Sequence, residues 1–193
     1  MVSELILDTS PLVIFLVGSF NKGYLEKVKY KNRKFNTIDY DLLLQYFTGK
    51  KLFVTPHILA EMSNIVENSL GNKLFQEFIE NVSMLLKNDT IEVYVPKEQI
   101  ILTEGIKKFG FADMSLFCFS EDSNHKIIVG DFPFYSFCTT KKRDVEFLDS
   151  ILSPKWMLEI NLSRFLEKFN LNNSPSSIPI KNLAFGEEEG VDV

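Results

Sequence analysis

The sequence has 193 residues, 45% hydrophobic and 24% charged, the balance of a folded globular chain with one domain or one domain and an appendage. Its longest apolar run, Pro11 to Val17, is far shorter than the ~20 residues that span a bilayer, and Glu4 and Asp8 precede any Lys or Arg, against the pattern of a secretory leader. A net charge of −5 excludes a globally basic nucleic-acid binder, two cysteines without metal-ligand or CxxC spacing (Cys118, Cys138) suit a reducing cytoplasm, and two histidines (His57, His125) are too few for zinc held by several imidazoles.

In chain order, Glu4 to Asp8 reads as a short buried strand ending on a carboxylate, followed by a helix with Pro11 in its first turn. Lys22 to Lys34 gathers Lys22, Lys27, Lys29, Lys31, Arg33 and Lys34 against Glu26, with Tyr24 and Tyr30 interleaved. Helices are expected over Thr37 to Phe47, His57 to Leu70 and Leu74 to Leu86, with a strand from Lys51 to Thr55 between the first two. Thr90 to Val95 alternates like a strand and stops at Pro96. A helix is expected from Lys97 to Lys108, ending at Gly110, and another over Phe111 to Phe119. Strands are expected at Lys126 to Gly130 and Val145 to Leu148, then an amphipathic helix from Pro154 to Phe169 and an acidic tail with Glu187, Glu188 and Glu189. Strands alternating with helices predict an α/β fold with a mainly parallel central sheet flanked by helices, and a C-terminal helix and tail. The domain reading is 1–150 for the α/β body and 151–193 for that helix and tail.

Four acids stand apart. Asp8 and Asp131 each fall at the C-terminal end of an expected strand, where open α/β sheets place ligands, although for an isolated Asp there a helix-cap role is the better explanation. Glu61 lies at the border of the apolar face formed by Ile58, Leu59, Met62, Ile65 and Val66. Asp113 opens a segment apolar nearly all round, so it is drawn towards the interior, where an unpaired charge is costly. Carboxylates that converge repel one another unless a cation joins them. Oxygen ligands in a chain poor in His and Cys select Mg²⁺ or Mn²⁺, a setting suited to phosphoryl chemistry.

The segments Leu5 to Ser10, Thr55 to Glu61, Phe111 to Leu116 and Ile128 to Phe134 resemble, in order and placement, the four acidic blocks of PIN-domain nucleases; the last two acids are 18 residues apart. That resemblance implies a PIN-like Rossmannoid fold and a metal-dependent ribonuclease, the family including toxin-type members. Its site would use Asp8, Glu61, Asp113 and Asp131 as catalytic, metal-binding carboxylates for Mg²⁺ or Mn²⁺, with Ser10 as hydrogen-bonding support behind them. Three departures are visible. Val129 stands where the family usually carries a hydroxyl residue, the stretch between the first two acids is longer than in compact toxin members, and Pro154 to Val193 extends beyond the family's usual end.

Lys27, Lys29, Lys31 and Arg33 are candidate RNA contacts, with Tyr24 and Tyr30 for stacking; a solvated loop is the plainer reading. The alternative to an enzyme is a catalytically inactive PIN-like scaffold that binds RNA or protein. A DNA substrate, a cognate antitoxin and a homodimer stay open, and no membrane association is expected.

Overall fold

Leu5, Ile6 and Leu7 are entirely buried because the strand that carries them is the centre of a five-stranded sheet. A computed structural model describes residues 4–31, 33–121 and 125–153; the expected helix from Pro154 to Phe169 and the acidic tail lie outside the described residues. Strand β1 (Glu4–Leu7) pairs in parallel with β4 (Lys51–Val54) on one side and β6 (Lys126–Val129) on the other. Strand β5 (Thr90–Glu92) extends the sheet beyond β4, and β7 (Val145–Phe147) extends it beyond β6, both in parallel. The order β5-β4-β1-β6-β7 is that of a Rossmann-like α/β sheet, consistent with the expected PIN-like architecture. Parallel strands covered on both faces need continuous apolar runs, which β1, β4 and β6 supply.

The segment from Pro11 to Val17 belongs to helix α1 (Thr9–Asn21), whose residues Thr9 to Gly18 are all buried. It packs against α2 (Thr37–Phe47), α3 (Pro56–Leu70) and α4 (Asn72–Asp89), and so has no polar face over that stretch. Asn36 caps α2 in a capping box with Asp39, and Thr55 with Pro56 starts α3. Each fully buried Leu or Ile in this core contributes about 1.5–3 kcal/mol of transfer free energy. No helix among the described residues is long and apolar enough to cross a membrane.

Four expectations need correction. The basic segment is not a plain loop: a 3-10 helix (Lys22–Lys27) leads into a two-stranded antiparallel ribbon, β2 (Lys29–Tyr30) and β3 (Arg33–Lys34). The stretch after Pro96 forms only α5 (Lys97–Ile101), and α6 (Ile106–Phe119) starts before Gly110 and breaks there, at φ 76° and ψ −173°. Glycine adopts that positive φ without the Cβ penalty. Strand β5 is shorter than expected, with one further bond from the Val93 N–H to the Val54 carbonyl. Helix α7 (Phe132–Thr140), absent from the sequence reading, is started by Asp131 and Pro133 despite its aromatic and β-branched content; α8 (Leu148–Ile151) follows β7.

Candidate functional site

The order of the sheet reverses between β1 and β6, and open α/β sheets form their binding crevice at such a switch point, beyond the strand C-termini. Asp8 follows β1 and Asp131 closely follows β6. Each is also a helix cap. Asp8 caps α1: its Oδ1 accepts the Thr9 N–H at 2.6 Å, while its Oδ2 accepts the Gly130 N–H across the switch point at 3.0 Å. The Asp8 N–H donates in turn to the Ile128 carbonyl at 3.0 Å. Asp131 caps α7 through the Phe134 N–H at 3.3 Å.

Close packing sets the spacing of these two strand ends. A Cβ added at Gly130 would lie 2.5 Å from Ser10 Oγ and 2.6 Å from its Cβ. Ser10 is thus buried against Gly130, and the hydroxyl that reaches a site carboxylate is that of its neighbour: Thr9 Oγ1 donates to Glu61 Oε2 at 2.7 Å. The Tyr30 hydroxyl donates to the other oxygen, Oε1, at 2.8 Å. Helix α3 presents Glu61 to both donors, and Asp113 is carried, buried, by α6.

The four acids lie near enough to feel one another's charge. Asp8 is 1% exposed, and burial raises its pKa to about 6, offset in part by the Gly130 and Thr9 amides and by Lys31; Glu61 adds repulsion. Asp113, 7% exposed, is raised to about 8, first by burial and then by Asp8, with Glu61 and Asp131 contributing and Lys31 opposing. No hydrogen-bond donor among the described residues reaches Asp113. Burial and the nearby Asp8 and Glu61 carboxylates also raise the Tyr30 pKa, keeping its hydroxyl protonated as a donor.

One ammonium answers these charges. Lys31 Nζ pairs with Asp131 Oδ2 at 2.8 Å, the only ion pair made to any of the four acids among the described residues. Burial works to lower the Lys31 pKa, but the pull of Asp131, Asp113 and Asp8 outweighs it and leaves the pKa raised. Lys31 opens the turn of the ribbon at φ 48°, a left-handed conformation uncommon for a side chain of this kind.

The remaining basic candidates do not form a single RNA-facing row. Arg33 pairs with Asp149 and lies against the Phe35 ring, Lys27 sits over Tyr24, and Lys29 is exposed on the ribbon opposite Lys34. Tyr30 is 8% exposed, which removes it as a stacking platform. Tyr24 stacks on Phe20 with ring centroids 5.7 Å apart. Thr9, and Tyr30 and Lys31 as partners of the acids, were not anticipated. Only the adjacency of Thr9 to Asp8 could have suggested one of them.

Among the described residues, no three His, Cys, Asp or Glu side chains form a ready-made group for a metal ion. Asp8, Glu61 and Asp131 are engaged instead by protein donors. The donor chemistry still fits a hard divalent cation: four carboxylates, no nitrogen or sulfur ligand, and acids held together against their repulsion with one ammonium as counter-charge. No protein-family model matches the chain, and comparison with curated proteins gives no match.

Proposed function

We propose that this chain is a PIN-like, metal-dependent ribonuclease that hydrolyses RNA phosphodiester bonds at the Asp8–Glu61–Asp113–Asp131 cleft. The observation that carries this reading is the gathering of four acids from four separate elements at the switch point, where Asp113 stays buried against three like charges. Protein scaffolds tolerate such repulsion where it serves a site. The four carboxylates would hold Mg²⁺ or Mn²⁺, which supplies polarisation of the phosphodiester and activation of a water. Thr9 and Tyr30 fix both oxygens of Glu61, and the Gly130 amide fixes Asp8, so the chain presents oriented anionic oxygens without a large conformational search.

A second reading, an inactive PIN-like scaffold that binds RNA or protein, draws on one observation: Lys31 already neutralises Asp131. The two separate in a direct assay. Purified chain is incubated with Mn²⁺ or Mg²⁺ and a panel of labelled single-stranded and structured RNAs, with DNA counterparts. Cleavage of RNA that chelation stops and Asp8→Asn abolishes supports the ribonuclease. Cleavage confined to DNA replaces the substrate class. RNA binding without cleavage under any divalent ion gives the scaffold.

A further inference from the structure

Three features of the ribbon formed by β2 and β3 converge on Lys31. Successive residues reach acids on different elements: the Tyr30 hydroxyl binds Glu61 on α3, and the Lys31 ammonium binds Asp131 at the start of α7. The far side of the ribbon is tied to α8 through Arg33 and Asp149. Lys31 takes the positive φ that the first position of a two-residue antiparallel turn calls for, which sets the direction in which its side chain leaves the ribbon. Unlike Tyr30, it is not sealed in, since its side chain is 46% exposed. The ammonium therefore faces the four acids on one side and solvent on the other.

We infer that Lys31 is an exchangeable counter-cation: it holds Asp131 while the carboxylates carry no divalent ion, and turns to the phosphate of a bound RNA strand once the ion neutralises them. This rests on the metal-dependent reading of the cleft and adds a substrate-positioning residue to it. The charge logic follows from what surrounds the ammonium. With four acids and no divalent ion, Asp131 is the favourable partner for Lys31. A 2+ ion bound by the same carboxylates weakens the lysine's hold on that partner, because it neutralises the acids and its own charge repels the ammonium. A polyanionic strand entering an acidic cleft then needs a positive group beside the metal, and among the described residues Lys31 is the cation already in place. Tyr30 keeps the ribbon seated throughout, so exchange requires only rotation of the lysine stem.

Lys31→Met keeps the apolar stem and removes the charge; Lys31→Arg keeps the charge. Mn²⁺ affinity is measured by calorimetry without RNA. Affinity for a fluorescent single-stranded RNA is measured in Ca²⁺, with the strand checked for integrity. Exchange predicts that Lys31→Met tightens Mn²⁺ binding by about threefold or more and weakens RNA binding by about tenfold, consistent with loss of one cation competing for a ligand and contacting a phosphate. Lys31→Arg should stay close to the parent in both. Unchanged or weaker Mn²⁺ binding by Lys31→Met, unchanged RNA binding, or an Arg variant that behaves like Met overturns the inference. A chain that shows both shifts yet cleaves nothing overturns the ribonuclease reading alone. Chelator-sensitive cleavage that Asp8→Asn abolishes, without the Mn²⁺ shift, overturns the exchange alone.

Discussion

The two ends of the parallel sheet handle charge in opposite ways. At the N-terminal end, acids and bases are matched nearly one to one. Lys51 pairs with Glu4 at 3.0 Å, His125 reaches the other oxygen of Glu4 at 2.9 Å, and Lys126 pairs with Glu146 at 3.2 Å, which also accepts the Tyr46 hydroxyl at 2.7 Å. Glu4 is accordingly held below its ordinary pKa, chiefly by Lys51. At the C-terminal end, four acids share one lysine, and Asp8 and Asp113 are pushed upward. One end of the sheet is balanced for folding. The other keeps an excess of negative charge that folding alone would not select.

The sharpest way to break this contrast is to neutralise the unbalanced end. On the proposed ribonuclease reading, Asp8→Asn and Asp131→Asn should each reduce metal-dependent RNA cleavage by roughly a hundredfold or more, because each would remove a negative ligand from a site whose affinity follows charge count. Single-turnover cleavage of a labelled RNA in Mn²⁺ measures it. An N-terminal counterpart, Lys126→Gln, should leave turnover unchanged and move the Tm by no more than about 2 °C, as expected of a partly exposed pair.

Stability should respond in the reverse sense. Asp113→Asn removes the acid most opposed by its surroundings, so the metal-free chain should melt higher by about 3 °C or more at pH 8. The sign follows from linkage. An acid with its pKa raised to about 8 in the folded state, against an ordinary value of 3.8, favours folding fully below pH 4 and loses that contribution as pH rises through 8. The groups facing it are Asp8, Glu61, Asp131 and Lys31. The gap in Tm between Asp113→Asn and the parent should therefore open as pH rises from 4 to 8; a gap constant with pH would refute the account.

A smaller effect is expected from Tyr30→Phe, which strips one hydrogen bond from Glu61. Loss of about 1 kcal/mol in denaturant unfolding, with a weaker effect on cleavage than any Asp→Asn change, would fit its supporting role. The smallest is Lys29→Ser. If this exposed lysine meets a phosphate at all, the slope of RNA affinity against monovalent salt should fall by no more than about 0.7.

The contrast also explains what the sequence could and could not reveal. The four acids were legible because each sits beside a local signal: a strand end, a Thr-Pro helix start, or the first turn of a nearly all-apolar helix. The sheet was legible because buried parallel strands leave continuous apolar runs. The ribbon was not, since two-residue strands carry no measurable period, and the bond from Tyr30 to Glu61 joins residues 31 positions apart. For the same reason Tyr30 read as an exposed aromatic among lysines when it is buried against an acid. Helix α7 was hidden by residues of modest helix propensity, and its start depended on a cap that could also be read as a ligand.

Gly130 carries a consequence of its own. It has no side chain with which to touch an ion, a strand of RNA or another acid, yet its closeness to Ser10 fixes how near the ends of β1 and β6 can come. In a saturation scan this position should be as intolerant as the carboxylates, and its profile should track the volume of the substituent rather than polarity or charge. Alanine would wedge the two strand ends apart, lengthening the bond from the Gly130 amide to Asp8 and carrying Asp131 with it. Pairing Gly130→Ala with Ser10→Gly should return much of what is lost, because the space taken at one position is released at the other. The distance between two acids would then be inherited through a pair of small residues, neither of which performs any chemistry.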